Sequence, residues 1–118
     1  MDIESYRTYC ISKPCVTEEF PFDQSALVFK VMGKMFTLTN VDSFERVNLK
    51  CDPEYAIELR EKYPAVIPGY HMNKKHWNTV ILDGSLSDSF ILKLIDDSYQ
   101  LVVDKLVKKE RELLESTN

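Results

Sequence analysis

Eleven residues, Pro68-Gly69-Tyr70-His71-Met72-Asn73-Lys74-Lys75-His76-Trp77-Asn78, hold the densest set of side chains able to do chemistry. They include two His, two Lys, two Asn, one Tyr and the only Trp of the chain. Lys74 and Lys75 at a turn suit phosphate, His76 and Asn78 can hydrogen-bond phosphates or base edges, and Tyr70 or Trp77 can stack on an exposed base. The same residues also have plain architectural uses. A Lys pair blunts an exposed turn, Trp77 fills a groove against the sheet, and Asn73 accepts left-handed backbone. The two uses are compatible, with Trp77 inside while Lys74 and Lys75 face solvent.

Other chemistries lack their residue sets. His71 and His76 are separated by a turn with no Cys or carboxylate beside them, whereas a closed zinc site needs four ligands. Cys10 and Cys15 have no His or Cys pair nearby to complete such a site. There is no Gly-x-Ser-x-Gly, no His-Glu-x-x-His and no phosphate-cradling Gly-rich loop. Nothing in the spacing joins Cys51 to a histidine as nucleophile and base. The expectation is a chain that is not an enzyme and carries no metal or cofactor.

Charge is distributed more informatively than its total. The net charge of −4 excludes a strongly basic, histone-like binder. Residues 28–82 nevertheless carry eight Lys/Arg against six Asp/Glu, while residues 1–27 and 83–118 are each net −3. Most of those six acids belong to a middle helix, so the strands and turns are the positive part. Lys30, Lys34, Arg46 and Lys50 lie there, and separated cations on a sheet can follow a phosphate backbone.

The elements that must position these residues are legible from periodicity. Ile3, Tyr6, Tyr9 and Cys10 fall at helical spacing, with Asp2 and Glu4 suited to a first turn. Residues 12–24 carry Pro14 and Pro21 without a period and read as a loop. From Ala26 the period becomes two. Leu27, Phe29 and Val31 alternate with Val28 and Lys30, Gly33-Lys34 interrupts, and Phe36 and Leu38 alternate with Thr37 and Thr39, which predicts a hairpin. A third strand over 44–51 sets Val47, Leu49 and Cys51 on one face and Arg46, Asn48 and Lys50 on the other, wet and basic face. On this reading Phe29, Val31, Phe36, Leu38, Val47 and Leu49 need cover.

Asp52-Pro53-Glu54 is a helix start, with Asp52 as N-cap and Pro53 at the first helical position. That helix ends at Pro64. Pro68-Gly69 opens an extended region at Tyr70 to Met72, and Trp77 to Leu82 returns as a strand closed by Asp83-Gly84. Ser87-Asp88 caps a long helix with Phe90, Ile91, Leu94, Ile95, Val102, Leu106 and Val107 as its buried stripe. Lys105, Lys108, Lys109 and Arg111 lie toward its negative end. The order is α-β-β-β-α-β-β-α, an α+β fold with one antiparallel sheet of about five strands and helices packed on one face.

The chain has 118 residues, 44% of them hydrophobic and 29% charged, which fits one domain over residues 1–118. Three cysteines, an odd number in a chain able to build a core, fit a reducing compartment. Met1-Asp2-Ile3-Glu4 offers neither the basic nor the apolar part of a secretory signal, and no apolar run approaches the roughly 18 residues of a membrane span. A monomeric cytoplasmic protein is expected.

Three blocks carry a family resemblance: Pro68 to Asn78, then Asp83-Gly84-Ser85, then Asp97-Ser98-Tyr99-x-Leu101-Val102. With the acidic first helix, Phe29-Lys30-Val31, Gly33-Lys34 and the Asp52-Pro53 helix start, the chain resembles the MmcQ/YjbR family of small bacterial proteins along nearly its whole length. The resemblance implies a frataxin-like α+β fold and a DNA-binding role through a double wing. Here the wings would be the turns at Gly33-Lys34 and Asn73 to His76, with Lys34, Lys74, Lys75 and His76 as contacts. Two further readings stay open. One is an adaptor that binds a protein through the acidic helices or exposed aromatics. The other is a small-molecule or metal-handling domain lined by Tyr70, His71, His76 and Trp77.

Overall fold

The computed structural model describes residues 1–116. The helix starts form where capping chemistry places them. In α1 (Ile3–Ile11) the Asp2 carboxylate accepts from the Ser5 N–H, and in α2 (Pro53–Lys62) the Asp52 carboxylate accepts from the Tyr55 N–H behind Pro53. In α3 (Asp88–Asp104) the Ser87 hydroxyl accepts from the Phe90 N–H. Each cap satisfies an amide that the first turn cannot pair internally.

The strands are β1 (Val16–Glu19), β2 (Ala26–Val31), β3 (Lys34–Asn40), β4 (Arg46–Lys50), β5 (Val66–Pro68) and β6 (Trp77–Ile81). They form one antiparallel sheet in the order β1-β2-β3-β4-β6-β5. Between β2 and β3, Met32 and Gly33 both have positive φ, 51° and 78°, while Val31 pairs with Lys34. That is a two-residue turn whose twist matches the strands, and glycine takes its second place without strain. Helices α1 and α3 cover one face, where Leu27, Phe29, Val31, Val47, Leu49 and Val80 are buried with Tyr6 and Ile95. Arg46 lies on the other side, as expected, whereas Lys50 is half-buried at the strand end beside Lys105 of the α3 C-cap. The α+β class and the antiparallel sheet with helices on one face are as the periodicity predicts.

Four local expectations are corrected. First, residues 16–19 pair with β2 instead of looping, adding an edge strand. Val-Thr-Glu-Glu is too short and too acidic to announce itself. Its acids have tasks, because Glu18 meets Arg7 of α1 at 2.6 Å and Glu19 meets Lys30 at 3.3 Å. Second, the extended segment near Pro68 is Val66–Pro68, and Tyr70 to Met72 is a turn. Third, the long C-terminal helix stops at Asp104, and α4 (Lys108–Ser116) follows. Val107, expected in the buried stripe, is 63% exposed at that break. Arg111 donates to the carbonyl oxygens of Asp104 and Leu106, satisfying the end of α3.

The fourth correction changes a face. Register shifts from Phe29↔Thr37 to Lys30↔Met35, so Phe36 is an extra residue in β3, a β-bulge. Phe36 and Thr37 therefore both meet the helices. The Phe36 ring lies edge-on to Tyr99 of α3 at 5.3 Å, and the Tyr6 hydroxyl of α1 is 2.9 Å from Thr37 Oγ1. Past the bulge, Thr39 stays on the Val47 side, and Leu38, expected under the helices, emerges on the opposite face.

Candidate nucleic-acid interface

One end of the sheet gathers lysines from separate parts of the chain. Strand β3 begins there, β4 ends there and β6 begins there, since Val31 pairs with Lys34 and Lys50 with Trp77. The turn 73–76 adjoins it, because the His76 carbonyl oxygen accepts from the Cys51 N–H at 2.8 Å. Within that turn Asn73 Oδ1 accepts from the Lys75 N–H at 2.9 Å, leaving Lys75 exposed at the tip. Lys105, at the C-cap of α3, completes the group. The Lys50 ammonium is held below the ordinary lysine value of 10.5, first by burial, then by the neighbouring charges of Lys105 and Lys34. Among the described residues, Lys34, Lys50, Lys75 and Lys105 form no ion pair.

The other candidate cations are placed differently. Lys30 is paired with Glu19, and Lys74 turns back so that its Nζ donates to the Gly69 carbonyl oxygen at 3.1 Å. Arg46 lies with its guanidinium 5.5 Å from the Tyr70 ring centroid, away from the lysine end. His76 is half-buried, whereas His71 is exposed with φ 58° and its ring 4.1 Å from that of Tyr70.

Trp77 and Asn78 are inside. Trp77 is 8% exposed and Asn78 2%. A Cβ at Gly69 would stand 2.8 Å from Trp77 Cβ and 2.9 Å from Trp77 O, so only glycine admits this approach of the loop to β6. Asn78 Oδ1 accepts from Arg60 Nε at 2.7 Å, and the same guanidinium reaches the carbonyl oxygens of Trp77 and Lys74. Arg60 thus ties α2 to the lysine-bearing turn. Its place at helical spacing on α2 shows only a helix face, and nothing in sequence announces this reach. Lys105 was likewise legible only as a dipole partner at a helix end.

Tyr70, His71 and Arg46 border a groove of about 660 Å³ on the face away from α1 and α3. Its far wall is Phe22 and its floor includes Leu38, Met35 and Asn48. No three His, Cys, Asp or Glu side chains come together in a metal-binding arrangement among the described residues. No helix among them is long and apolar enough to cross a membrane.

Comparison with known proteins gives a consistent picture. The YjbR family model matches residues 11–101. Protein YjbR of Escherichia coli (strain K12) is 41% identical over 115 residues, covering 97% of this chain and 98% of its own. Protein YyaQ of Bacillus subtilis (strain 168) is 33% identical over 75 residues, 64% of this chain and 63% of its own. The crystal structure of Deinococcus radiodurans protein DR2400, a DUF419 domain, superposes with a TM-score of 0.90 at 42% identity, covering 97% of this chain and 88% of that one.

Proposed function

The chain belongs to the YjbR family, and from that premise we propose that it is a non-enzymatic DNA-binding protein of the cytoplasm that grips the phosphate backbone with the lysine end of its sheet. One observation carries the reading: Lys34, Lys50 and Lys105 share a neighbourhood, and none of them forms an ion pair among the described residues. Holding like charges together costs free energy, and a polyanion that enters offsets that cost and releases its own counter-ions. The turns at 32–33 and 73–76 flank the cluster as wings, with Lys75 reaching outward. This contact surface is narrower than a whole basic sheet face, because Lys30 is already neutralised and Arg46 lies elsewhere.

Two of the thiols are poorly suited to nucleophilic catalysis. Burial pushes Cys10 to about 12 and Cys51 to about 11, so neither supplies a thiolate nucleophile near neutral pH. The test is fluorescence anisotropy with a labelled duplex across about 50–200 mM salt. Affinity should fall with salt at a slope of roughly 0.9 per phosphate held, and do so on unrelated sequences alike. No salt-dependent affinity at the low end would overturn the reading and leave a protein-binding role through the acidic helices.

A further inference from the structure

The groove on the helix-free face is independent of the lysine end and is built as a receptor. Its volume, about 660 Å³, falls within the ~300–1,000 Å³ of small-molecule sites. Phe22 and Tyr70, 71% and 56% exposed, stand as aromatic walls, and Leu38, Met35 and Met72 give it an apolar lining. Apolar walls with few fixed polar groups are what a flat ring needs.

Two donors are presented there from β4. Arg46 and Asn48 sit two residues apart and so share a strand face. A relay fixes the Asn48 amide: the Tyr70 N–H donates to Thr79 Oγ1 at 2.9 Å, and that hydroxyl donates to Asn48 Oδ1 at 2.5 Å. Asn48 Nδ2 is left without a partner among the described residues, on a side chain only 9% exposed that lines the groove. That amide nitrogen opens onto the groove and is free to donate to a ligand there. Arg46 is steadied over the Tyr70 ring and has no ion pair among the described residues. Of the two acids at the groove, Asp23 is engaged by the amides of Ser25 and Ala26, and Glu45 stands exposed at the rim.

We propose that this groove binds a small aromatic carboxylate, its ring between Tyr70 and Phe22 and its carboxylate received by Asn48 Nδ2 and the Arg46 guanidinium. A charge-assisted pair of donors favours the anion, and the aromatic walls favour the plane. The site is distinct from the lysine end, so DNA affinity and ligand affinity vary independently.

The experiment is a titration of the full chain with 2-naphthoate, followed by amide chemical shifts, with 2-naphthamide and cyclohexanecarboxylate as comparison probes. Saturable shifts at residues 22, 46, 48 and 70 are expected, with naphthoate binding about tenfold tighter than either comparison probe. Arg46→Gln and Asn48→Asp should each remove most of the preference for naphthoate over naphthamide. The second variant keeps the acceptor used by Thr79, and the first changes an exposed residue, so both should fold. Equal affinity for naphthoate and naphthamide, a preference untouched by both variants, or shifts confined to the lysine end would each overturn the proposal.

Discussion

The Ser98 hydroxyl on α3 donates to the Phe36 carbonyl oxygen at 2.5 Å. The Ser98 hydroxyl oxygen in turn accepts from the Lys50 N–H at 2.8 Å. The β3–β4 ladder closes at Thr37↔Leu49, so Ser98 bridges the two strands just past the end of that ladder, at the residue that bulges from the β2–β3 pairing. It also anchors α3 against the sheet. Ser98→Ala removes the bridge and leaves two buried backbone groups unpaired, at a cost of about 1–3 kcal/mol. Urea unfolding should show this as a lower midpoint with an unchanged slope.

Lys34→Ala and Lys75→Ala bear on the DNA reading. Each should flatten the salt dependence of duplex binding by roughly 0.9 if it holds one phosphate, on every sequence alike. Both residues are exposed, so stability should move by less than about 0.5 kcal/mol. Anisotropy at several salt concentrations, with thermal unfolding in parallel, separates the two effects. Lys74→Ala should have the smaller effect on binding, because its ammonium is turned onto Gly69.

Lys50 gives a prediction of opposite sign for stability. Its folded value lies below 10.5 through burial and the charges of Lys105 and Lys34. The folded state is thus penalised at neutral pH, and the penalty fades as pH rises through the folded value toward 10.5. Lys50→Met should therefore raise Tm at pH 7. Added salt, which screens like charges, should raise the Tm of the unaltered protein more than that of the variant. A Tm lowered by the substitution would contradict the cluster.

Two weakly acidic side chains set the alkaline limit. Cys10 is raised from 9.0 to about 12 by burial, and Tyr9 from 10.0 to about 12, chiefly by its hydrogen bond to Asp96. Unfolded chains lose these protons first. The stabilising contribution is complete below the unfolded values and is lost progressively between about pH 9 and 12. Urea midpoints measured over that range should decline, and Cys10→Ala should decline less steeply. At pH 8 a thiol reagent should leave Cys10 unmodified in the folded protein and modify it in urea.

Trp77→Ala tests the division of labour in the 68–78 segment. With Trp77 8% exposed and packed on Gly69, the loss of burial should cost on the order of 3–5 kcal/mol. Calorimetry should show a large fall in Tm. A fall in ligand affinity without loss of stability would return Trp77 to the surface role its residue type permits.

What the residues determine by themselves is local. Asp52-Pro53 and Ser87 set helix starts because capping needs only neighbours in sequence. The alternation in β2 and β4 fixes their faces because a strand's period is two. The tight turn at Met32-Gly33 follows from a glycine that accepts positive φ. What tertiary structure decided depends on partners distant in the chain. Periodicity cannot foresee the extra residue at Phe36, because the bulge is defined by pairing across two strands and filled by Tyr99 and Tyr6 from two helices. That one residue puts Leu38 in the groove instead of the core. The groove itself joins Phe22 to Tyr70, and the lysine end joins Lys34, Lys50 and Lys105. Such neighbourhoods arise only when strand order and helix crossing bring remote segments together, since side-chain burial and electrostatic coupling depend on distance in space.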